Sequence, residues 1–217
     1  MRFVTPALLA AAAMTVFSGS AAQAQFVKGV NFGNPDGNYA VQDVTIDGHL
    51  LTAEPAALSS GGLSYDAAFQ HFDYHEVFGL SPLSPAVPTD VDNALAATLL
   101  LPAGEPTGSI HETVANGQAY SVTLYYIEGY DDNNRSWDLS GDLTATGLGL
   151  LPYDTWTSVT LNTPVITDGS IDFTVTTTLD QPVISALAIS LFVPEPASCA
   201  LLLPLGVLAL RSRRRAR

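Results

Sequence analysis

Residues 120–128 read Tyr120-Ser121-Val122-Thr123-Leu124-Tyr125-Tyr126-Ile127-Glu128, with Tyr120, Val122, Leu124 and Tyr126 at alternate positions. Side chains two apart share a face of an extended chain, so this run is a strand with one face made for a core. Asn116-Gly117 ahead of it is turn chemistry. The polar 131–134 stretch behind it leads to a second strand beginning at Trp137-Asp138-Leu139. Outward from there the pattern repeats. Residues 158–161 form another strand, Ile171, Phe173 and Val175 alternate after an Asp168-Gly169 turn, and Leu187, Ile189 and Leu191 line one side of 184–191. Nearer the start, 40–46 alternates apolar with polar and is closed by Asp47-Gly48, a hairpin-type turn.

Loops account for much of the remainder. They are Asn31-Phe32-Gly33-Asn34-Pro35-Asp36-Gly37-Asn38, the Ala-, Pro-, Ser- and Gly-rich 53–62, and the proline-bearing 79–92. Residues 63–78 are dense in aromatics and read either as a short helix or as two short strands. Pro102 ends the apolar 94–101 segment. Many short strands, frequent turns and no long amphipathic helix predict an all-β fold, an antiparallel β-sandwich. No internal repeat of 20–50 residues breaks that reading.

Both ends are built differently. Met1-Arg2, an apolar 7–17 stretch and Ala22-Gln23-Ala24 make a secretory signal peptide over 1–24, with cleavage expected before Gln25. At the other end Pro194-Glu195-Pro196 precedes an apolar run of 12 residues, 199–210, and then Arg211-Ser212-Arg213-Arg214-Arg215-Ala216-Arg217. The run is shorter than the roughly 20 residues of a full span. The terminal arginines favour retention on the cytoplasmic side. Between these ends lies an exported domain over 25–191, one domain's length.

The order of Pro194-Glu195-Pro196, apolar run and arginine cluster resembles a PEP-CTERM sorting signal over 192–217. That resemblance implies export in a Gram-negative bacterium that makes exopolysaccharide and transient anchoring in the inner membrane by a short transmembrane helix. It also implies processing by an exosortase and delivery to the cell surface or extracellular matrix. Pro204 and Gly206 interrupt the apolar run, which suits a temporary anchor.

Charge separates along the chain. The 25–191 region holds 20 acidic residues against two basic ones, Lys28 and Arg135, a formal charge of −18. Such a surface repels nucleic acid, which excludes that class of partner, and also anionic lipid. The single cysteine, Cys199, lies in the C-terminal apolar run and reads as a small hydrophobe there, so the exported domain has no disulfide.

A second resemblance runs through the middle. Tyr120-Ser121-Val122-Thr123-Leu124, Glu128 and Arg135-Ser136-Trp137-Asp138-Leu139 are similar to the core of malectin-like carbohydrate-binding domains. Asp180-Gln181-Pro182-Val183-Ile184-Ser185-Ala186-Leu187 resembles their close, and Val30-Asn31-Phe32-Gly33-Asn34 their opening. The resemblance implies a galactose-binding-like jelly roll that takes glucose-containing sugars. By position it implies Tyr130 as a stacking aromatic and Asp180 as the sugar-binding aspartate.

Other residues carry chemistry of their own. His71-Phe72-Asp73-Tyr74-His75-Glu76 spaces two histidines at i, i+4, a metal-ligand spacing on a helix, with Asp66, His49 or His111 as third-ligand candidates. It is not the H-E-x-x-H motif, and a polar loop is the simpler reading. Asp131-Asp132-Asn133-Asn134 offers oxygens suited to Ca2+ but lacks EF-hand spacing. Tyr125, Tyr130, Trp137 and Trp156 could stack on sugar rings, Tyr130 foremost because it sits in a loop; aromatics in sandwiches are more often core. No nucleophile elbow, phosphate loop or dinucleotide fingerprint is present. The reading is therefore a non-catalytic protein with no catalytic or metal-ligating residue assigned and no cofactor, Ca2+ being the one candidate. Its expected partners are an exosortase and extracellular polysaccharide. A matrix component bridged by divalent ions is the alternative, and a metal-dependent hydrolase on His71 and His75 is the outlier.

Overall fold

Strand β8 (Tyr120–Glu128) is the second strand of a six-stranded sheet. The computed structural model describes residues 25–33, 42–53, 62–74, 82–130 and 134–193. Beside β8 lie β11 (Thr155–Asn162) at one edge and β14 (Ala186–Leu191) on the other side. Then come β1 (Phe26–Asn31), β3 (His49–Ala53) and the edge strand β2 (Val44–Ile46). A five-stranded sheet runs β10 (Ala145–Leu148), β9 (Ser136–Gly141), β12 (Ser170–Leu179), β7 (Thr107–Thr113), β4 (Leu63–Tyr65). A third, small sheet joins β13 (Val183–Ile184), β6 (Ala97–Leu100) and β5 (Gln70–Asp73).

The all-β class follows from how β8 is used. Its Tyr120, Val122, Leu124 and Tyr126 join Leu187 and Ile189 of β14 against Ile110, Leu139, Phe173 and Val175 of the five-stranded sheet. This is the sandwich core, with the near-dry Trp137 inside it. Fully burying one such side chain is worth about 1.5–3 kcal/mol. The opposite face of β8 is buried too. Tyr125 and Ile127 pack with Val44, Ile46 and Leu51 and with Val91 and Leu95 of helix α1 (Thr89–Ala96). That second core is why 124–128 is buried at every position instead of alternating.

Several expectations need correction. The sheets are not wholly antiparallel, because β1 and β3 pair in parallel through Val30 with Thr52 and Asn31 with Ala53. Strand β1 occupies 26–31, just before the turn-rich segment expected from residue 31. The 79–92 loop gives way to α1, which starts after Pro88 with Asp90 and Asp92 in its first turn, where acids complement the helix dipole. Asp92 Oδ1 also takes the Leu83 N–H at 2.9 Å, tying the helix to the preceding segment. Of the 63–78 stretch, the described residues 63–74 make two strands, β4 and β5, followed by a helical Tyr74. Of the 40–46 strand, residues 40 and 41 lie outside the described residues and β2 takes 44–46; the 184–191 strand is split at Ser185 into β13 and β14. The Asp47-Gly48 turn is as expected. Both residues have positive φ, 52° and 80°, as a tight two-residue hairpin between Ile46 and His49 requires.

Among the described residues no helix is long and apolar enough to cross a membrane. The signal peptide at 1–24, Pro194-Glu195-Pro196 and the 199–210 run lie outside the described residues.

Candidate carbohydrate cleft

The alternation that sends Tyr126 into the core puts Glu128 on the same side, at 0 % exposure. A carboxylate there is tolerable only with partners. Its Oε1 accepts from Arg135 Nε at 3.1 Å and from the backbone N–H of Tyr130 at 2.9 Å. Arg135, itself 3 % exposed, donates through Nη1 to the Gln181 carbonyl at 3.2 Å. Its guanidinium lies 5.3 Å from the centre of the Tyr74 ring, within cation–π range. The Tyr74 ring in turn rests on the backbone at Gly129. A Cβ at that position would come within 2.5 Å of it, so only glycine fits. Burial pushes the Tyr74 phenol's pKa up, with the Arg135 charge opposing, so the ring stays neutral.

One buried ion pair therefore braces two loops. Glu128 holds the turn that carries Tyr130, and Arg135 holds the turn after β12 that carries Asp180. Asp180 has a φ of 51°, in the left-handed region that Asp and Asn tolerate better than most residues. Between the loops lies a cleft of about 220 Å³ lined by Phe72, Tyr74, Leu100, Tyr130, Arg135, Asp180 and Gln181. Phe72 and Tyr74 meet edge-to-face with centroids 4.8 Å apart, forming an aromatic wall. Tyr130 stands 53 % exposed at the rim. An exposed phenol ring beside a carboxylate can stack on the apolar face of a sugar and accept its hydroxyls.

The two residues singled out as sugar contacts, Tyr130 and Asp180, thus line one cleft although 50 positions apart. The other aromatics do not reach it. Tyr125 and Trp137 are core residues, and Trp156 is half-buried with Nε1 donating to the Pro85 carbonyl at 2.8 Å. Phe72, Tyr74 and the Glu128–Arg135 pair were not anticipated as cleft components. Their signal was present: a glutamate at an inward position, and one of the domain's two basic residues seven positions on.

The histidine reading loses its geometry. His71 lies on strand β5, where side chains alternate, so a helical i, i+4 face is not formed; His75 is outside the described residues. His71 Nε2 is 3.2 Å from the Tyr65 hydroxyl, Asp66 Oδ2 takes the Ser109 N–H at 2.7 Å, and His49 packs edge-on to Phe26. Among the described residues no group of three or more His, Cys, Asp or Glu could hold a metal. Of the Asp131-Asp132-Asn133-Asn134 loop only Asn134 is described.

A second hollow, about 310 Å³, lies over the outer face of the five-stranded sheet at Ser109, His111, Ser140, Asp172 and Thr174. Its polar groups satisfy one another: His111 Nδ1 is 2.6 Å from Asp172 Oδ1, and Ser170 Oγ donates to Asp172 Oδ2 at 2.5 Å. It lacks an aromatic platform of the kind Tyr130 provides.

No family model and no curated protein sequence matches the chain. Among solved structures it is similar to the extracellular domain of ANXUR1 from Arabidopsis thaliana. The TM-score is 0.56 at 10% identity, over 79% of this chain and 51% of that one. The ANXUR2 extracellular domain from the same plant gives 0.53 at 11% identity, with the same coverages. Bacteroides uniformis beta-glucuronidase 2 gives 0.51 at 13% identity, over 76% of this chain and 18% of the enzyme. The likeness is one of fold. The chain spans about half the length of the two ANXUR domains.

Proposed function

We propose that this protein is an exported, non-catalytic carbohydrate-binding protein of the cell surface or extracellular matrix, with the Tyr130–Asp180 cleft as its glycan site. The observation that carries the reading is the convergence of those two residues on one aromatic-walled cleft braced by Glu128 and Arg135. A fold shared with plant extracellular domains supports it, as does the malectin-like pattern at 120–139 and 180–187. Tyr130 supplies the stacking platform and Asp180 the hydroxyl acceptor. The C-terminal signal addresses the protein to exopolysaccharide through an exosortase and a transient inner-membrane anchor. Alanine at Pro194, Glu195 and Pro196 should leave unprocessed protein in the membrane fraction; unchanged release would contradict that route.

The test of function is a glycan array with the purified protein, with and without calcium, repeated for Tyr130→Ala. Selective binding that weakens by up to about tenfold in the variant is expected, given about 0.5–1.5 kcal/mol for a lost aromatic contact. Absence of binding in both conditions would defeat the assignment. The 20 acids against two bases favour a second reading, a matrix protein bridged by divalent ions. Calcium-dependent assembly without glycan binding would select it.

A further inference from the structure

Cationic side chains are scarce in the 25–193 region. Its only lysine and arginine are Lys28 and Arg135, and the positions not described there carry neither residue type. Lys28 Nζ is bound to both Glu112 carboxylate oxygens, at 3.0 and 3.1 Å. Arg135 is bound to Glu128 and to the Gln181 carbonyl, at the back of the cleft. Asp180 lines the same cleft and is half-buried, a carboxylate beside the aromatic wall. Around it the domain carries a formal charge of −18.

Resting on the carbohydrate reading above, we propose that the cleft selects a cationic glycan: a polymer of hexosamine units with free amines, one ammonium group placed on the Asp180 carboxylate. Three classes of glycan meet this site differently. A uronic acid or sulfated chain would approach a strongly negative surface and find both cations already neutralised. A neutral chain would stack on Tyr130 and gain nothing from the field. An amino-sugar chain stacks equally well and sets an ammonium on Asp180 in place of a neutral hydroxyl, so that both donor and acceptor are charged. The net charge also draws a polycation from a distance, raising its rate of encounter.

The experiment compares three tetramers by calorimetry: glucosamine, N-acetylglucosamine and glucose, each titrated into the intact protein and into Asp180→Asn. Asparagine tolerates the positive φ at this position, so the turn survives the substitution. The glucosamine tetramer should bind the wild type at least about tenfold more tightly than the other two, as a charge-assisted bond allows. Asp180→Asn should erase that preference and weaken the glucose tetramer much less, because the amide oxygen still accepts a hydroxyl. Tyr130→Ala should weaken all three and keep the preference. Equal binding of acetylated and free-amine tetramers would overturn the proposal. So would a preference that survives Asp180→Asn, since general attraction to the acidic surface would then explain it. Failure of all three tetramers to bind the wild type would overturn the cleft's sugar role itself.

Discussion

Glu128 occupies an inward position where strand alternation would ordinarily place an apolar side chain, and its bonds to Arg135 and to the Tyr130 N–H brace the cleft. Glu128→Ala leaves the Arg135 charge buried and uncompensated, so denaturant unfolding should show a loss of about 3–5 kcal/mol. Glu128→Gln keeps an acceptor for both N–H groups and should lose less. Two other carboxyls set the acid response, with opposite signs. Burial raises the Glu112 pKa, with Lys28 opposing. A raised folded value means that Glu112's contribution is fully present below the ordinary glutamate range and is lost as pH rises through the folded value. The Ser170 hydroxyl lowers the Asp172 pKa most, burial opposes it, and His111 adds further lowering. Its contribution is present above the ordinary aspartate range and lost as pH falls through the folded value. Because His111 and Asp172 are 44% and 53% exposed, solvent screening keeps this second effect small. In unfolding measured against pH, Glu112→Gln should flatten the fall on the alkaline side of the carboxylate range, and Asp172→Asn the fall below it.

At the scale of elements, β8 belongs to two cores at once. Leu124→Ala on one face and Ile127→Ala on the other should each cost about 2–5 kcal/mol. Ser158→Ala, exposed on the neighbouring edge strand, should stay within about 0.5 kcal/mol. Equal effects at Leu124 and Ser158 would contradict the assignment of faces. The same strand shows what a sequence can and cannot reveal. Its alternation at Tyr120, Val122, Leu124 and Tyr126 was legible because one face meets one core. The burial of Tyr125 and Ile127 was not, because it depends on α1, β2 and β3, which pack over that face from distant parts of the chain. Strands β7 and β10 escaped for a related reason: their runs, Thr107–Thr113 and Ala145–Leu148, carry few large apolar residues and owe their state to their neighbours' ladders. In the cleft, Tyr130 and Asp180 were legible from a family pattern. Phe72 and Tyr74 were not, because β5 reaches that end of the domain only through the small third sheet.

For the molecule as a whole, the dominant fact is charge. A domain at −18 repels itself, so its thermal midpoint should rise when salt is added at constant pH; a midpoint that falls would contradict the charge argument. The same field discourages nucleic acid and anionic surfaces. The central claim is that the aromatic-walled cleft, at the sandwich end where the β8–β9 loop and the β12–β13 turn meet, is where a glycan binds. The most direct test is to follow the backbone amide resonances while titrating the tightest-binding glycan. The account predicts shifts concentrated at Phe72, Tyr74, Tyr130, Asp180 and Gln181, whereas shifts centred on Ser109, His111 and Thr174 of the outer sheet face, or none at all, would contradict it.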